Sequence, residues 1–390
     1  MDKLLQEYQH ISFKRDWRLD QETLFMLGQC EVIIRAISSA PIKPEYRESL
    51  LQVSLRKGAR ATTAIEGNTL SDEEVAKIAE GEKLPPSKEY LETEVKNILV
   101  ALNTILNEVV MDGKATVINT ELIKNFHHAV GKNLGDHFQA IPGQFRASGH
   151  NVTVGKYRPP EGHYVNELMK KLCEWMKAEF HYERGEQHFT DQVIQAIVFH
   201  AYIAWIHPFG DGNGRTARLV EFYILLRAGL PDIASHILSN FYNDTRDEYY
   251  RQLDASIHER TLTNFIKYAV RGFRDELNSV LQIVQGNNLV TSWEKFIYET
   301  LDSKKVSGKS KAIIKRRRTL ALNFPVDKFY TIDELLNTIP AVIREYAKLS
   351  PFTLKRDLAE LERLQLVTKK EDRYTGNIGI LKGLMPRRKV

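Results

Sequence analysis

The chain has 390 residues, is 43% hydrophobic and 27% charged, and carries a formal net charge of +5. The length is enough for two or three domains, and the composition is ordinary for a soluble globular protein. The opening MDKLLQEYQHISFKRDW is too polar for a secretory signal, and no apolar run reaches spanning length. Cys30 and Cys173, the only cysteines, give neither a disulfide framework nor a Cys-based zinc site, so a reducing cytoplasm is the expected compartment and no membrane is an expected partner.

Most of the chain reads as helix. QETLFMLGQCEVIIRAI carries apolar residues at three- and four-residue spacing, and so does PEYRESLLQVSLRKGARATTAIEG. In the latter, Pro44 suits a first helical turn and Gly67 a C-cap. SDEEVAKIAEGE opens with Ser71 and Glu74 in capping-box spacing, and LETEVKNILVALNTILNEVV reads as a long amphipathic helix. GQFRASGHNVTVGKYRPP breaks the pattern: Val152 and Val154 alternate with polar residues between Gly149 and the Pro159-Pro160 pair, so a short hairpin is expected. TDQVIQAIVFHAYIAWIHPF follows as a helix capped by Thr190 and apolar nearly all round, hence central. KKVSGKSKAIIKRRRT reads as a solvated linker. TIDELLNTI, IREYAKL and TLKRDLAELERLQLV then read as three short helices, and KKEDRYTGNIGI has hairpin character.

The most informative stretch is HPFGDGNGRTAR, His207 to Arg218. The preceding helix ends near His207, because Pro208 disfavours a helical residue before it. The next helix is expected from about Thr216. Between them, glycines that tolerate positive φ let successive amides point into one concavity ahead of a helix N-terminus, which makes an anion nest. Arg215 and Arg218 add bidentate phosphate donors. Asp211 repels phosphate unless it carries a divalent cation that bridges to phosphate oxygens. His207 titrates near neutrality and can take a proton from an attacking hydroxyl. Each feature alone is ordinary: a Gly-rich turn, a core histidine, a solvated arginine. Base, metal ligand, nest and guanidinium clamp together are the parts of a phosphate-transfer site.

HPFGDGNGRTAR resembles, at every position, the signature of the Fic family, His-x-Phe-x-(Asp/Glu)-Gly-Asn-Gly-Arg-x-x-Arg. The resemblance implies a helical core over about 90–280 and transfer of AMP from ATP to a protein hydroxyl. It assigns the base to His207, Mg²⁺ to Asp211, the nest to Gly212, Asn213 and Gly214, and phosphate contacts to Arg215 and Arg218. The hairpin at 151–156, with Val154 and Gly155 at its tip, resembles the family's flap, which aligns the target segment by strand pairing. Tyr249-Tyr250 resemble an aromatic pair near the nucleotide. Some relatives carry an asparagine seven residues further on, where this chain has Ile257.

A second motif lies upstream. Glu66, directly before Gly67, ends a helix at the negative pole of its dipole, which disfavours it by about 0.3–1 kcal/mol. It should seek a cation. Thr62-x-x-x-Glu66-Gly67 resembles the Fic inhibitory motif, in which the glutamate occupies the last signature arginine, here Arg218, and keeps the γ-phosphate from seating productively.

Other signals are weaker. Gly308-Lys309-Ser310 is not a P-loop, since Ser303 stands where the first glycine is required and no strand precedes it. His200 reads as core. Residues 301–390 hold 21 Lys/Arg against 10 Asp/Glu, the remainder 34 against 40, so the basic excess is C-terminal and suggests an anionic partner. The final helices and hairpin resemble a winged helix-turn-helix, with Lys355 and Arg356 facing DNA and Leu354, Leu358, Leu361 and Leu364 in the core. A protein-interaction module is the alternative.

The expectation is a mainly α protein: N-terminal helices with the inhibitory motif over 1–90, a Fic core with a short β-hairpin flap over 91–285, a linker over 286–327, and a C-terminal winged-helix domain over 328–390. Its expected activity is auto-inhibited protein adenylylation with ATP as substrate and Mg²⁺ as cofactor. The target protein is unknown, and DNA and a second copy of the chain are further candidate partners. Removal of AMP by the same site through Glu66, transfer of another phosphate-containing group, and an ATP-sensing DNA-binding regulator remain alternatives.

Overall fold

The computed structural model describes residues 2–114, 116–180, 189–232, 237–303, 310–326 and 328–382. The chain is mainly helical and divides into two compact units. One comprises Met1–Ser39 with Lys43–Gln282, the other Ala40–Ile42 with Ile283–Val390.

In the first unit, α1 (Asp2–Glu7), α2 (Gln21–Ser39), α3 (Pro44–Ala64), α4 (Asp72–Ala79), α5 (Glu89–Leu106) and α6 (Thr120–Gly131) precede the site. They are followed by α7 (Gly162–Glu179), α8 (Phe189–Ile206), α9 (Asn213–Arg227), α10 (Ile237–Asp244), α11 (Arg246–Glu259) and the first part of α12 (Thr263–Asp302). The centre is the α8–α9 pair, buried along almost its whole length. The apolar-all-round sequence of α8 permits this: Ile194, Ile197, Phe199 and Ile203 point different ways and are all fully buried. Burying each such side chain contributes about 1.5–3 kcal/mol. Helices α5 and α6 pack on α9, α7 and α2 on α8, and α3 lies against α5 and α10.

Local signals are mostly borne out. Pro44 opens α3, and Ser71 with Glu74 forms the capping box of α4. Helix α3 stops at Ala64, two residues before Glu66, and the chain turns through Gly67 at φ +102°. Glu66 therefore lies in the capping turn rather than in the last helical turn. Thr190 lies inside α8, whose described part begins at Phe189, so it is not the cap. Helix α9 begins at Asn213, three residues before Thr216, because Gly212 turns left-handed at φ +74° and starts the helix at once. The hairpin at 151–156 is reduced to one antiparallel rung, Val154 with Tyr157, closed by two 2.9 Å hydrogen bonds around Gly155 at φ +58°. Pro159 and Pro160 have no amide hydrogen to extend the ladder.

The second unit contains the rest of α12, then α13 (Lys311–Leu322), α14 (Ile332–Thr338), α15 (Pro340–Tyr346), α16 (Pro351–Arg363) and the hairpin β1 (Val367–Lys370) with β2 (Arg373–Gly376). The strands are antiparallel, Val367 opposite Gly376, and Tyr330 adds one bridge to Tyr374. Leu354, Leu358, Leu361 and Leu364 are buried as the sequence pattern requires. The expected linker over 286–327 is corrected. Trp293, Ile297, Leu301, Leu320 and Phe324 belong to the same buried cluster as those leucines, so α12 and α13 complete this core. Basic residues mislead here: Arg316 and Arg317 each reach a fully buried Asp357 on α16 at 2.8 Å. Gly308 and Lys309 lie outside the described residues. Among the described residues no helix is long and apolar enough to cross a membrane.

Candidate active site

The site forms where α8 hands over to α9. His207 directly follows α8 at φ +50°, a left-handed conformation that is costly for a residue with a Cβ and common at functional sites. Its Nδ1 lies 3.4 Å from the Ala204 carbonyl, which can only accept, so Nδ1 carries the proton and Nε2 the free lone pair. Burial pushes its pKa down to about 4, and the Arg146 charge adds to this against the carbonyl of Ala204, Glu66 and Asp211. His207 is therefore neutral near pH 7, the form a general base needs.

The loop is held from inside. Asn213 Oδ1 accepts from the Phe209 amide and its Nδ2 donates to the Phe209 carbonyl, both at 2.9 Å. Its side chain thus closes the turn, and only its backbone can serve a nest. Arg215 is buried and donates to Glu94 through Nη1 and to Asp211 Oδ1 through Nη2 at 2.9 Å. Two carboxylates occupy its terminal nitrogens, so its expected phosphate contact would compete with them, and among the described residues Nε has no partner. Asp211 also accepts from the Gln139 amide at 3.3 Å. Among the described residues no cluster of three or more His, Cys, Asp or Glu could hold a metal, so Asp211 would contribute a single carboxylate. That fits Mg²⁺ only where phosphate oxygens and water complete its shell.

Arg218 is where the two motifs meet. Its side chain is 1% exposed, and Nη2 donates to Glu66 Oε1 at 2.6 Å and to the Thr62 carbonyl at 2.8 Å. Burial would push the Glu66 carboxyl up, but the Arg218 charge and hydrogen bond outweigh it and hold the group below its ordinary value. Thr62 acts through its backbone rather than its hydroxyl. A Cβ built on Gly214 would meet Glu66 Oε1 at 2.2 Å, so the carboxylate rests on that glycine at the start of α9. It sits where the helix N-terminus attracts an anion. Among the described residues Nε and Nη1 of Arg218 are buried and have no partner.

The remaining expected residues divide. Tyr250 is 40% exposed and its hydroxyl reaches the Ile65 carbonyl at 3.4 Å, at the mouth of the Glu66 turn. Tyr249 is buried and bonds His200 Nε2 at 2.9 Å, so it stands behind the site instead of lining it. His200 is core, as expected. Val154 is 38% exposed at the flap tip beside Gly155. Ile257 lines a cleft of about 420 Å³ with Tyr157 and Arg158. Lys355 and Arg356 belong to the other unit and are exposed on α16.

Sequence reasoning missed three supports. Glu94 sits among Val95, Ile98 and Leu102 on the buried face of α5, and an acid on an apolar stripe was its signal. His127 on α6 accepts from the Gly143 amide at Nδ1, so Nε2 donates to the Asp211 carbonyl at 2.9 Å while its ring stacks on Phe209. Arg146 in GQFRASGH has no periodic signal at all.

A family model described as Fic/DOC family matches residues 117–225. The chain is 32% identical to Protein adenylyltransferase fic-1 of Caenorhabditis elegans over 214 residues, 54% of this chain and 38% of that protein. It is 27% identical to Protein adenylyltransferase Fic of Nematostella vectensis over 257 residues, 65% of this chain and 54% of that one. It thus spans about half or less of the length of these curated relatives. A crystal structure of a Fic family protein from Desulfovibrio desulfuricans G20 superposes with a TM-score of 0.56 at 18% identity, covering 95% of this chain and all of that one. Residues 134–508 of C. elegans Fic-1 give 0.53 at 24% identity, with 68% and 73% covered. With the signature loop, the central α8–α9 pair and the family match all falling on one stretch, the chain carries a Fic domain.

Proposed function

We propose that the chain is an auto-inhibited protein adenylyltransferase. A target hydroxyl oxygen attacks the α-phosphorus of ATP, its proton passes to His207 Nε2, and pyrophosphate leaves as the new phosphodiester forms. The observation that carries this reading is Arg218: a buried guanidinium with two donor nitrogens unpartnered and the third held by a carboxylate lying on a helix N-terminus. Such a site is built for an anion and already holds a surrogate one. Asp211 would hold Mg²⁺, which supplies charge neutralisation to the phosphates when bound. Gly212 to Gly214 offer backbone amides, Arg218 a phosphate contact once Glu66 withdraws, and Tyr250, Val154 and Gly155 line the approach. The names of the Fic relatives support AMP as the transferred group. Converting His207 to Ala in a Glu66→Gly background should slow label transfer from α-³²P-ATP by about 10²–10⁴-fold while ATP still binds. Unchanged transfer would remove the base from His207. Removal of AMP through Glu66 predicts instead that Glu66→Gly loses activity on pre-modified protein. An ATP sensor predicts no label under any condition.

We propose a separate role in DNA binding for the second unit. Its hairpin follows α16, on which Lys355 and Arg356 are exposed beside Phe352 at 81% exposure. A winged-helix recognition helix would present its basic residues in this way. Affinity for duplex DNA should fall steeply with salt and weaken further in Lys355→Ala with Arg356→Ala. Absence of any shift at low salt would favour a protein partner.

A further inference from the structure

Arg146 is buried, 5% exposed, just ahead of the flap. Among the described residues every acceptor around its guanidinium is a backbone carbonyl. Nε donates to His207 at 2.7 Å, Nη1 to His150 at 3.3 Å, and Nη2 to Ile206 at 3.2 Å and to Pro160. Its own amide donates to the Pro208 carbonyl at 2.9 Å. A buried cation without a carboxylate is expensive and persists where fixed dipoles replace water. The Ile206 carbonyl belongs to the last turn of α8, which has no intrahelical donors left and forms the negative end of its dipole, and the His207 carbonyl lies directly after it. Those of His150 and Pro160 stand at the two ends of the flap. One rigid fork therefore joins both flap ends to the backbone of the histidine that is held at φ +50°.

Taking the adenylyltransferase reading as given, we propose that Arg146 is a positioning residue: it fixes the distance between the flap, which aligns the target segment, and His207. The planar guanidinium suits this task because its five donors point in set directions, whereas a lysine ammonium is a single flexible point. The charge has a second consequence. Among the charged groups facing His207, Arg146 favours the neutral ring, while Glu66 and Asp211 favour the protonated one.

The test uses the full chain with Glu66→Gly, alone and combined with Arg146→Lys or Arg146→Met. Amide exchange over 150–158, ATP KM, kcat for label transfer and the NMR titration of His207 are measured on each. We expect both Arg146 variants to bring faster flap exchange and a kcat at least about tenfold lower, with ATP KM changed less than about twofold, as for a misplaced reacting group. Lys should keep the His207 titration near that of the parent and Met should raise it. A merely structural arginine would instead lower melting temperature and leave kcat of the folded fraction unmoved. Unchanged flap exchange and kcat in a folded Lys variant would overturn the proposal even if the Met variant does not fold. If Glu66→Gly itself transfers no AMP, the adenylyltransferase reading fails. Flap exchange then still decides whether Arg146 joins the two.

Discussion

Replacing Glu66 by glycine removes one charge-assisted hydrogen bond, Arg218 Nη2 to Glu66 Oε1 at 2.6 Å. Bonds to charged groups contribute about 1.5–3 kcal/mol. The Glu66 side chain is 31% exposed against 1% for Arg218, so water screens one end and about 1.5–2 kcal/mol is the applicable part of that range. At about 1.4 kcal/mol per decade, productive seating of ATP should rise about ten- to thirtyfold, with the initial rate of AMP transfer following it. The same change leaves a buried guanidinium held only by the Thr62 carbonyl at 2.8 Å. The ligand-free variant should therefore lose about 1–3 kcal/mol of stability, and saturating ATP should restore more of its melting temperature than it adds to wild type. Single-turnover label incorporation at equal ATP, beside thermal melts with and without ATP, reads both quantities. A variant no faster than wild type, with an unchanged ligand-free melt, would refute the reasoning at its root: Glu66 would not be holding Arg218 in solution.

Two further outcomes follow from the geometry. Gly214→Ala places a methyl where Glu66 Oε1 now lies, 2.2 Å away, so it should expel the carboxylate yet obstruct the anion that replaces it. Unlike Glu66→Gly it should weaken ATP binding in calorimetry and raise no activity; activation would show that the nest lies elsewhere. Burial lowers the pKa of His10, His127 and His207 to about 4, from 6.5 in the unfolded chain. Between those values the unfolded state binds more protons, so this stability is complete above about pH 6.5 and is lost as pH falls towards 4. The urea midpoint should fall across that window, and the acid limb of kcat/KM should lie well below 6.5. A midpoint flat from pH 7 to 5 would contradict the burial of these rings.

The parts of the fold with strong local signals were legible in the sequence. Pro44, Ser71 with Glu74, and the leucines of α16 act through neighbours three or four residues away, so spacing alone reveals them. The Thr62–Glu66 motif and the signature loop were legible only as a resemblance. Nothing local says that residues 152 positions apart share a guanidinium. What escaped was set by tertiary packing. KAIIKRRRT looks solvated because its arginines are charged, yet Arg316 and Arg317 find a buried Asp357 40 or so residues on. That Arg215 is held by Glu94, from a helix far off in sequence, is likewise invisible locally. Arg146 has only carbonyl partners, a class of contact that leaves no mark on side-chain patterning.

The central claim is that AMP, and no other part of ATP, moves to protein through His207. Glu66→Gly protein and its His207→Ala derivative, each incubated with a cell lysate and either α-³²P-ATP or γ-³²P-ATP, test it most directly. The account predicts protein-bound label from the α position only, lost in the derivative, and a mass increment of one AMP on a Ser, Thr or Tyr hydroxyl in the labelled peptides. Label from the γ position, or α-label that survives loss of His207, would contradict it.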